Sequence, residues 1–262
     1  MRESVTSVGA MVKSWRELRR LSQLDLAVEA EISQKHLSFI ESGRSAPSRE
    51  MVLHLAEQLD VPLRERNAML LAAGFAPAFQ HRPLDDPTLA LAKASMERLL
   101  KAHEPYPALA FDRHWNVISA NQAVWSLLSV VSEDLLKPPV NLLRVSLHPA
   151  GLAPHIINLA EWQCHLMNQL RRQWRITRDA ALDALLKELS VYPSAASGES
   201  LRQESTPADG IAIPLRLMTP RGTLSLLSAV TVFGTAMEIT LSELTLEAFY
   251  PADEFTRAAL SA

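Results

Sequence analysis

The sequence predicts two folded parts: an all-α domain of five short helices, then an α+β domain in which helices pack on a small antiparallel sheet. Three observations carry this expectation. Apolar residues in the first 75 positions recur at helical intervals, with serines, prolines and glycines placed as start and stop signals. Residues 76–87 break the pattern with three prolines and no apolar periodicity, which marks a boundary and an extended arm. Beyond it, short strand-like runs bounded by turn residues alternate with long helical patterns. The expected division is residues 1–75, a connecting arm and helix over 76–103, and a second domain over 104–262.

In the first part, a helix is expected from about Gly9 to Leu21, carrying Lys13, Arg16, Arg19 and Arg20. Ser22, with Asp25 three residues on, starts a second helix, and Ser33 starts a third. Only Ala30, Glu31 and Ile32 separate them, so one helix must fold sharply across the other, as in a helix-turn-helix unit. Leu18, Leu21, Leu26, Ala27, Ile32, Leu37 and Ile40 form the expected shared core. Gly43 ends the third helix, Pro47-Ser48 opens a fourth, and a fifth runs from near Pro62 to Gly74.

In the second part, a helix through Leu89, Leu91, Met96 and Leu99 comes first. Residues 107–120 read as strand, tight turn at Asp112–Trp115, and strand, after which Asn121 caps a helix to about Ser129. Helical patterns span Pro154–Trp174 and Arg178–Leu189. Strands are expected at Ile211–Leu217 and Thr223–Phe233, joined by Thr219-Pro220-Arg221-Gly222, with a last one near Ala236–Ile239. Thr240-Leu241-Ser242-Glu243 then reads as the capping box of a further helix.

Bulk composition narrows the function. A length of 262 residues suits two domains, and 48% hydrophobic against 21% charged residues excludes a largely disordered chain. Net charge is −3, and residues 1–75 hold ten basic and ten acidic side chains, so any attraction to nucleic acid must be a local face. The single cysteine, Cys164, forms no intramolecular disulfide, and no leader or membrane-length apolar run is visible. The expected setting is soluble and cytoplasmic.

The series Arg16-Glu17-Leu18-Arg19, Ser22-Gln23, Leu26-Ala27, Ile32-Ser33-Gln34, Leu37-Ser38, Ile40-Glu41-Ser42-Gly43-Arg44 and Pro47-Ser48 resembles the repressor-type (XRE) helix-turn-helix family. That family sets its second motif helix in the major groove. The resemblance implies Gln34 and Lys35, with Ser33 at the helix start and Ser38 and Phe39 one turn on, facing base edges. Gln binds adenine bidentately, Lys donates to guanine, and Phe touches a thymine methyl. Gln23 is a candidate phosphate contact at a helix N-terminus, and Arg44 and Arg19 are further ones. An ordinary solvated face is the alternative reading of Gln34, Lys35 and His36. Arg16 and Glu41 resemble the family's structural ion pair.

The strand–turn–strand that leads into Asn121 and a helix resembles the opening of a PAS fold. Asn141-Leu142-Leu143-Arg144, Leu147-His148-Pro149-Ala150-Gly151-Leu152, Asn158-Leu159-Ala160-Glu161-Trp162, Phe233-Gly234-Thr235-Ala236 and Glu247-Ala248-Phe249-Tyr250-Pro251-Ala252-Asp253 are similar to the ligand-binding domain of MmyB-like transcription regulators. The resemblance implies a PAS-like domain that accepts an apolar small molecule, fatty acids being the leading class. Trp115, Trp125, Trp162, Leu166 and Phe233 are the candidate apolar wall, and Arg144 and His148 the candidate partners of a carboxylate. Simple core packing and loop capping are the alternative readings.

Catalysis is not expected. Cys164 and His165 are adjacent on a helix and point apart, and Glu161 with His165 has no further ligand in view for a metal. No phosphate-cradling glycine loop is present, and neither a metal nor another cofactor is required. The expected protein is a regulator of transcription, a homodimer on a palindromic double-stranded DNA operator, whose binding an apolar ligand modulates. The competing expectations are an antitoxin-like interaction module that only autoregulates, and an enzyme with a DNA-targeting head.

Overall fold

The structure is a computed structural model that describes residues 7–193, 213–234 and 236–261. The chain forms two compact units, one of residues 7–83 with 236–242, the other of residues 84–234 with 243–261.

The first unit opens with five helices: α1 (Val8–Leu18), α2 (Gln23–Glu29), α3 (Gln34–Glu41), α4 (Arg49–Gln58) and α5 (Leu63–Ala72). Serines start four of them. Ser7, Ser22, Ser33 and Ser48 each accept a hydrogen bond from the backbone N–H three residues on. At Ser22 the box is reciprocal, because the Asp25 carboxylate accepts from the Ser22 N–H at 2.8 Å. Gly43, at φ +73°, closes α3 in the left-handed region that the sequence assigns to it.

Helices of seven and eight residues do not persist alone, so α2 and α3 depend on packing. Val12 and Trp15 of α1, Leu26 of α2, Leu37 and Ile40 of α3, Leu55 of α4 and Met69 of α5 are all buried, as is Leu59 at the end of α4. At Gly9, α1 approaches α3 so closely that a β-carbon would lie 2.1 Å from the Ile40 carbonyl oxygen. Leu18, expected in this core, is 36% exposed, because α1 ends there and its inner face is already supplied by Val12 and Trp15.

A buried ion pair joins the ends of the helical segment. The Arg16 guanidinium donates to both Glu41 oxygens, at 2.7 and 3.0 Å, and to the Leu21 carbonyl at 2.8 Å. Burial raises the Glu41 carboxyl, but the bonds from Arg16 and Gln23 outweigh it and hold the group below the usual glutamate value.

The arm after α5 is pinned. The Asn67 side chain accepts from the N–H groups of Ala78 and Phe79 and donates to the Phe79 carbonyl. Residues 236–242 complete this unit: Ile239 N–H donates to Gln80 O, and Glu238 accepts from the backbone N–H groups of Arg82 and Leu241. The short helix α11 (Ile239–Ser242) starts under that carboxylate. The strand expected at Ala236–Ile239 is therefore absent, and Thr240 lies within a helix rather than capping a later one. The Thr240 hydroxyl instead donates to the Arg82 carbonyl.

The second unit is a five-stranded antiparallel sheet with helices on both faces. Its strands are β1 (Ala108–Phe111), β2 (Val117–Ala120), β3 (Leu215–Thr219), β4 (Gly222–Val232) and β5 (Thr245–Pro251), in the order β2-β1-β5-β4-β3. This is the α+β, PAS-like arrangement expected, with the last strand nine residues later than placed. The expected strand at Ile211–Leu217 begins among residues outside the described ones, and β3 runs two residues further.

The helices of this unit are α6 (Ala90–Ala102), α7 (Gln122–Leu127), α8 (Leu142–Leu147), α9 (Leu159–Thr177), α10 (Ala180–Ser190) and α12 (Glu254–Ser261). One sheet face, with Ala108, Ala110 and Leu246, packs on Met96 and Leu100 of α6. The other, with Leu109, Phe111, Leu226 and Phe249, packs on α7 to α10. The β1–β2 turn sits where the sequence puts it: Asp112 accepts from the N–H groups of His114 and Asn116, and Trp115 takes φ +67°. Asn121 caps α7 and also accepts from Ala108 N–H. The α9 helix starts after Pro154 because the Asn158 side chain, donating to Pro214 O and accepting from Arg216 N–H, docks β3.

Glu41→Ala leaves the Arg16 guanidinium buried without its partner, so urea unfolding followed by far-UV circular dichroism should show a loss of about 3–5 kcal/mol. Arg16→Met combined with Glu41→Leu should return most of it. Because Glu41 is held low, its contribution is present above the usual glutamate range and is lost as pH falls through the folded value. A wild type whose stability is flat through that acidic range, relative to Glu41→Leu with Arg16→Met, would contradict this.

Candidate DNA-reading face and ligand cavity

The third helix presents a mixed face. Gln34 and Lys35 are exposed at its start, whereas Ser38 and Phe39, one turn on, are half-buried. The Ser33 hydroxyl is occupied as the N-cap. Phe39 gathers two cations: Lys35 Nζ lies 5.6 Å and the Arg44 guanidinium carbon 5.8 Å from its ring centre. An apolar residue in the reading helix thus holds two charges beside it, which spacing alone did not reveal. Gln34, Lys35, Phe39 and Arg44 form one local basic–aromatic patch on a unit whose overall charge is balanced.

Two other candidate contacts are engaged inside the unit. Arg19 donates to the carbonyls of Leu59 and Asp60 at 2.9 and 2.8 Å, so it closes the end of α4. Gln23 gives its side-chain amide to Glu41 at 2.8 Å.

In the second unit, an apolar cavity with about 70 Å³ of room for the centres of water-sized atoms opens over the inner sheet face. Leu109, Leu226 and Phe249 of the sheet form its floor. Val124 and Trp125 of α7, Val145 and Ser146 of α8, and Trp162 and Leu166 of α9 form its walls. Trp162 is fixed by an indole N–H bond to the Ser146 hydroxyl at 3.0 Å. Trp125, 39% exposed, stands at the edge.

Of the seven ligand candidates, Trp125, Trp162 and Leu166 line this cavity and four do not. Trp115 stacks on Phe111 at 5.0 Å and donates to Gln173 at 2.8 Å, a core role. Phe233 packs with the cluster on the opposite sheet face. Arg144 makes two bonds to Glu188, at 2.8 and 2.7 Å. Its motif folds as helix α8 rather than a loop, which turns its side chain toward α10. His148 accepts from Ala150 N–H and stands edge-on to Tyr192, whose hydroxyl donates to Glu188. Burial, with the Glu188 carboxylate beside it, pushes that tyrosine up to about 12.

The sequence carried no expected role for Glu247, the one ionisable side chain in the cavity lining among the described residues. It sits on β5, with Leu109 of β1 and Val230 of β4 opposite it. Burial pushes its carboxyl up to about 7, the Ser228 hydroxyl acting weakly the other way. The available signal was its parity with Phe249, two residues on, which assigns both to one strand face.

A second, open groove of about 810 Å³ is lined by Glu104, Gln122, His155 and Arg221 among apolar residues. It is more polar and somewhat more open than the first cavity, whose almost wholly apolar lining suits an apolar ligand better. Among the described residues, no group of three or more His, Cys, Asp or Glu side chains is placed to hold a metal ion. His165 stacks on Trp162, and burial with Arg172 nearby lowers its basicity.

A helix-turn-helix unit whose third helix exposes Gln34 and Lys35, followed by an α+β domain with an apolar cavity, defines a DNA-binding transcription regulator with a ligand-binding domain. A family profile described as MmyB-like transcription regulator ligand binding domain matches residues 92–262, and a helix-turn-helix profile matches residues 12–66. The chain belongs to the MmyB-like transcription regulators. Both matches are to regulator domains rather than enzymes. Comparison with curated proteins gives no match. No described helix is long and apolar enough to cross a membrane.

A carboxyl raised by burial binds more protons folded than unfolded, so stability should fall as pH rises from about 4.5 to about 7. The size is on the order of 3 kcal/mol. Glu247→Gln should remove that slope and unfold later than wild type at mildly alkaline pH. Parallel pH profiles for the two proteins would rule it out.

Proposed function

We propose that the protein is a cytoplasmic regulator that binds a palindromic operator as a homodimer and changes its DNA affinity when an apolar small molecule enters the cavity of the second unit. The observation that carries this reading is the pairing of an exposed Gln34–Lys35 reading edge with a cavity whose lining, among the described residues, is almost wholly apolar.

Gln34 and Lys35 supply direct readout at the start of α3, where side chains reach base edges, and Ser38 and Phe39 read one turn further. Arg44 and the Ser33 hydroxyl face the phosphates, with Gln23 and Arg19 setting the helices that carry them. A unit with balanced charge gains little from counterion release. Two heads about 34 Å apart on the duplex then supply what one cannot. The ligand acts by favouring one arrangement of the two heads. The fatty-acid class implied by the family resemblance would meet a lining that is almost wholly apolar, and among the described residues no lining side chain is cationic.

Electrophoretic shift of the full chain on its own upstream DNA tests this. Gln34→Ala with Lys35→Ala should weaken specific binding by about ten- to a hundred-fold while leaving non-specific binding nearly intact. Arg44→Ala should instead weaken all sequences alike and reduce the salt slope by about one. Unchanged binding in the double variant would remove the assignment. A cavity filled by Leu166→Trp should abolish any response to extracted apolar ligand with DNA binding retained.

A further inference from the structure

We propose that the cavity and the neighbouring groove of the second unit form one site for an amphiphile: its apolar tail passes Leu127 into the cavity, and its carboxylate head group stays in the groove against Arg221 and His155. This rests on the reading that the cavity in the second unit holds the ligand.

The first ground is adjacency. Leu127 and Leu217 line both the cavity and the groove, so one layer of side chains separates the two spaces. Leu217 is fixed in that wall, paired with Leu224 of β4 on one side and bridged to Ile156 on the other. Leu127 is only half-buried and ends α7, a helix of six residues that its own hydrogen bonds cannot hold. Leu127 is therefore the side chain that gives way. The second ground is size. The cavity's room of about 70 Å³ is less than half the roughly 150 Å³ that takes up a benzene ring, so alone it holds only a few carbons. The groove, at about 810 Å³, supplies the length that a longer chain needs.

The third ground is charge. A carboxylate cannot follow its tail into an apolar space without a partner, and the one ionisable side chain among the described residues of the cavity lining, Glu247, is itself an acid. The groove has what the cavity lacks. Arg221, in the β3–β4 turn, gives one guanidinium nitrogen to the Ala259 carbonyl of α12 at 2.9 Å, which holds the group in place and leaves its other nitrogens for a carboxylate. His155 lines the same groove, half-buried. The acid of the groove, Glu104, accepts from the Gln122 N–H at 3.1 Å, and the Ser126, Ser129 and Thr219 hydroxyls donate to backbone carbonyls. Among the described lining residues, the donors able to carry a positive charge toward a head group are those of Arg221 and His155.

The experiment titrates the full chain with hexanoate, octanoate, decanoate, decanol and decylamine below their micellar concentrations, by calorimetry with tryptophan fluorescence as a second readout. Affinity for the acids should rise about three- to four-fold per added methylene through decanoate, beyond what the cavity alone can hold. Arg221→Gln should weaken decanoate about ten-fold and decanol less than about three-fold, with His155→Gln acting the same way more weakly. Leu127→Trp, which closes the passage, and Leu166→Trp, which fills the cavity, should each flatten the dependence on chain length. An affinity that stops rising at hexanoate confines the ligand to the cavity and overturns the inference while leaving the cavity reading in place. So does decylamine binding tighter than decanoate with the preference lost in Glu104→Gln, or an equal loss of decanoate and decanol in Arg221→Gln. Binding that Arg221→Gln weakens and Leu166→Trp leaves intact places the amphiphile in the groove alone, and removes the cavity reading and the inference with it. Failure of every probe does the same.

Discussion

The Glu41 carboxylate closes α3, receives the Arg16 guanidinium from α1 and accepts the Gln23 amide from α2. Three short helices meet at one buried acid, and the crossing angle of the reading helix follows from that meeting. Each helix is individually too short to be stable, so the network does more than add bonds. It selects one arrangement in which Gln34 and Lys35 face outward together while Leu37 and Ile40 face inward. Replacement by apolar residues could match its stability, so its value lies in geometry.

The second unit places the opposite demand on an acid. Among the described residues no cation shifts the Glu247 carboxyl, and the residue is kept in the sheet by backbone pairing on both sides. Its neighbours are chosen for shape, as the floor of a cavity requires. The two acids, both buried, thus differ in how their charge is answered: Glu41 from within the fold, Glu247 by the Ser228 hydroxyl alone.

Much of this was legible in the sequence, and the exceptions have physical reasons. Ser22, Ser33, Ser48 and Asn121 announce their helices because an N-cap depends only on residues three apart. The Asp112–Trp115 turn is equally local. The last strand was misplaced because Met237, Glu238 and Ile239 alternate like a strand, while the contacts that decide the matter come from Gln80 and Arg82, some 156 residues away in the case of Glu238 and Arg82. Arg144 and His148 looked like a ligand site because they sit in a polar motif, yet Glu188 and Tyr192 claim them from beyond α9. Conversely, Glu247 falls where the Thr240–Glu243 capping signal leads to the expectation of a helix, so its place in a strand is not legible there. Only the sheet order, which puts β5 between β1 and β4, makes it central.

The membership of residues 236–242 in the first unit has a topological consequence. The unit that reads DNA is assembled from two stretches of chain separated by more than 150 residues, the second of which connects β4 to β5. No single cut releases it whole. A fragment ending at Pro83 would expose the Gln80 carbonyl and the Arg82 N–H that Ile239 and Glu238 satisfy, and would leave α5 without its short helical neighbour. Evolution by simple domain exchange is restrained in the same way, since a foreign second domain would have to bring its own version of that seven-residue insert.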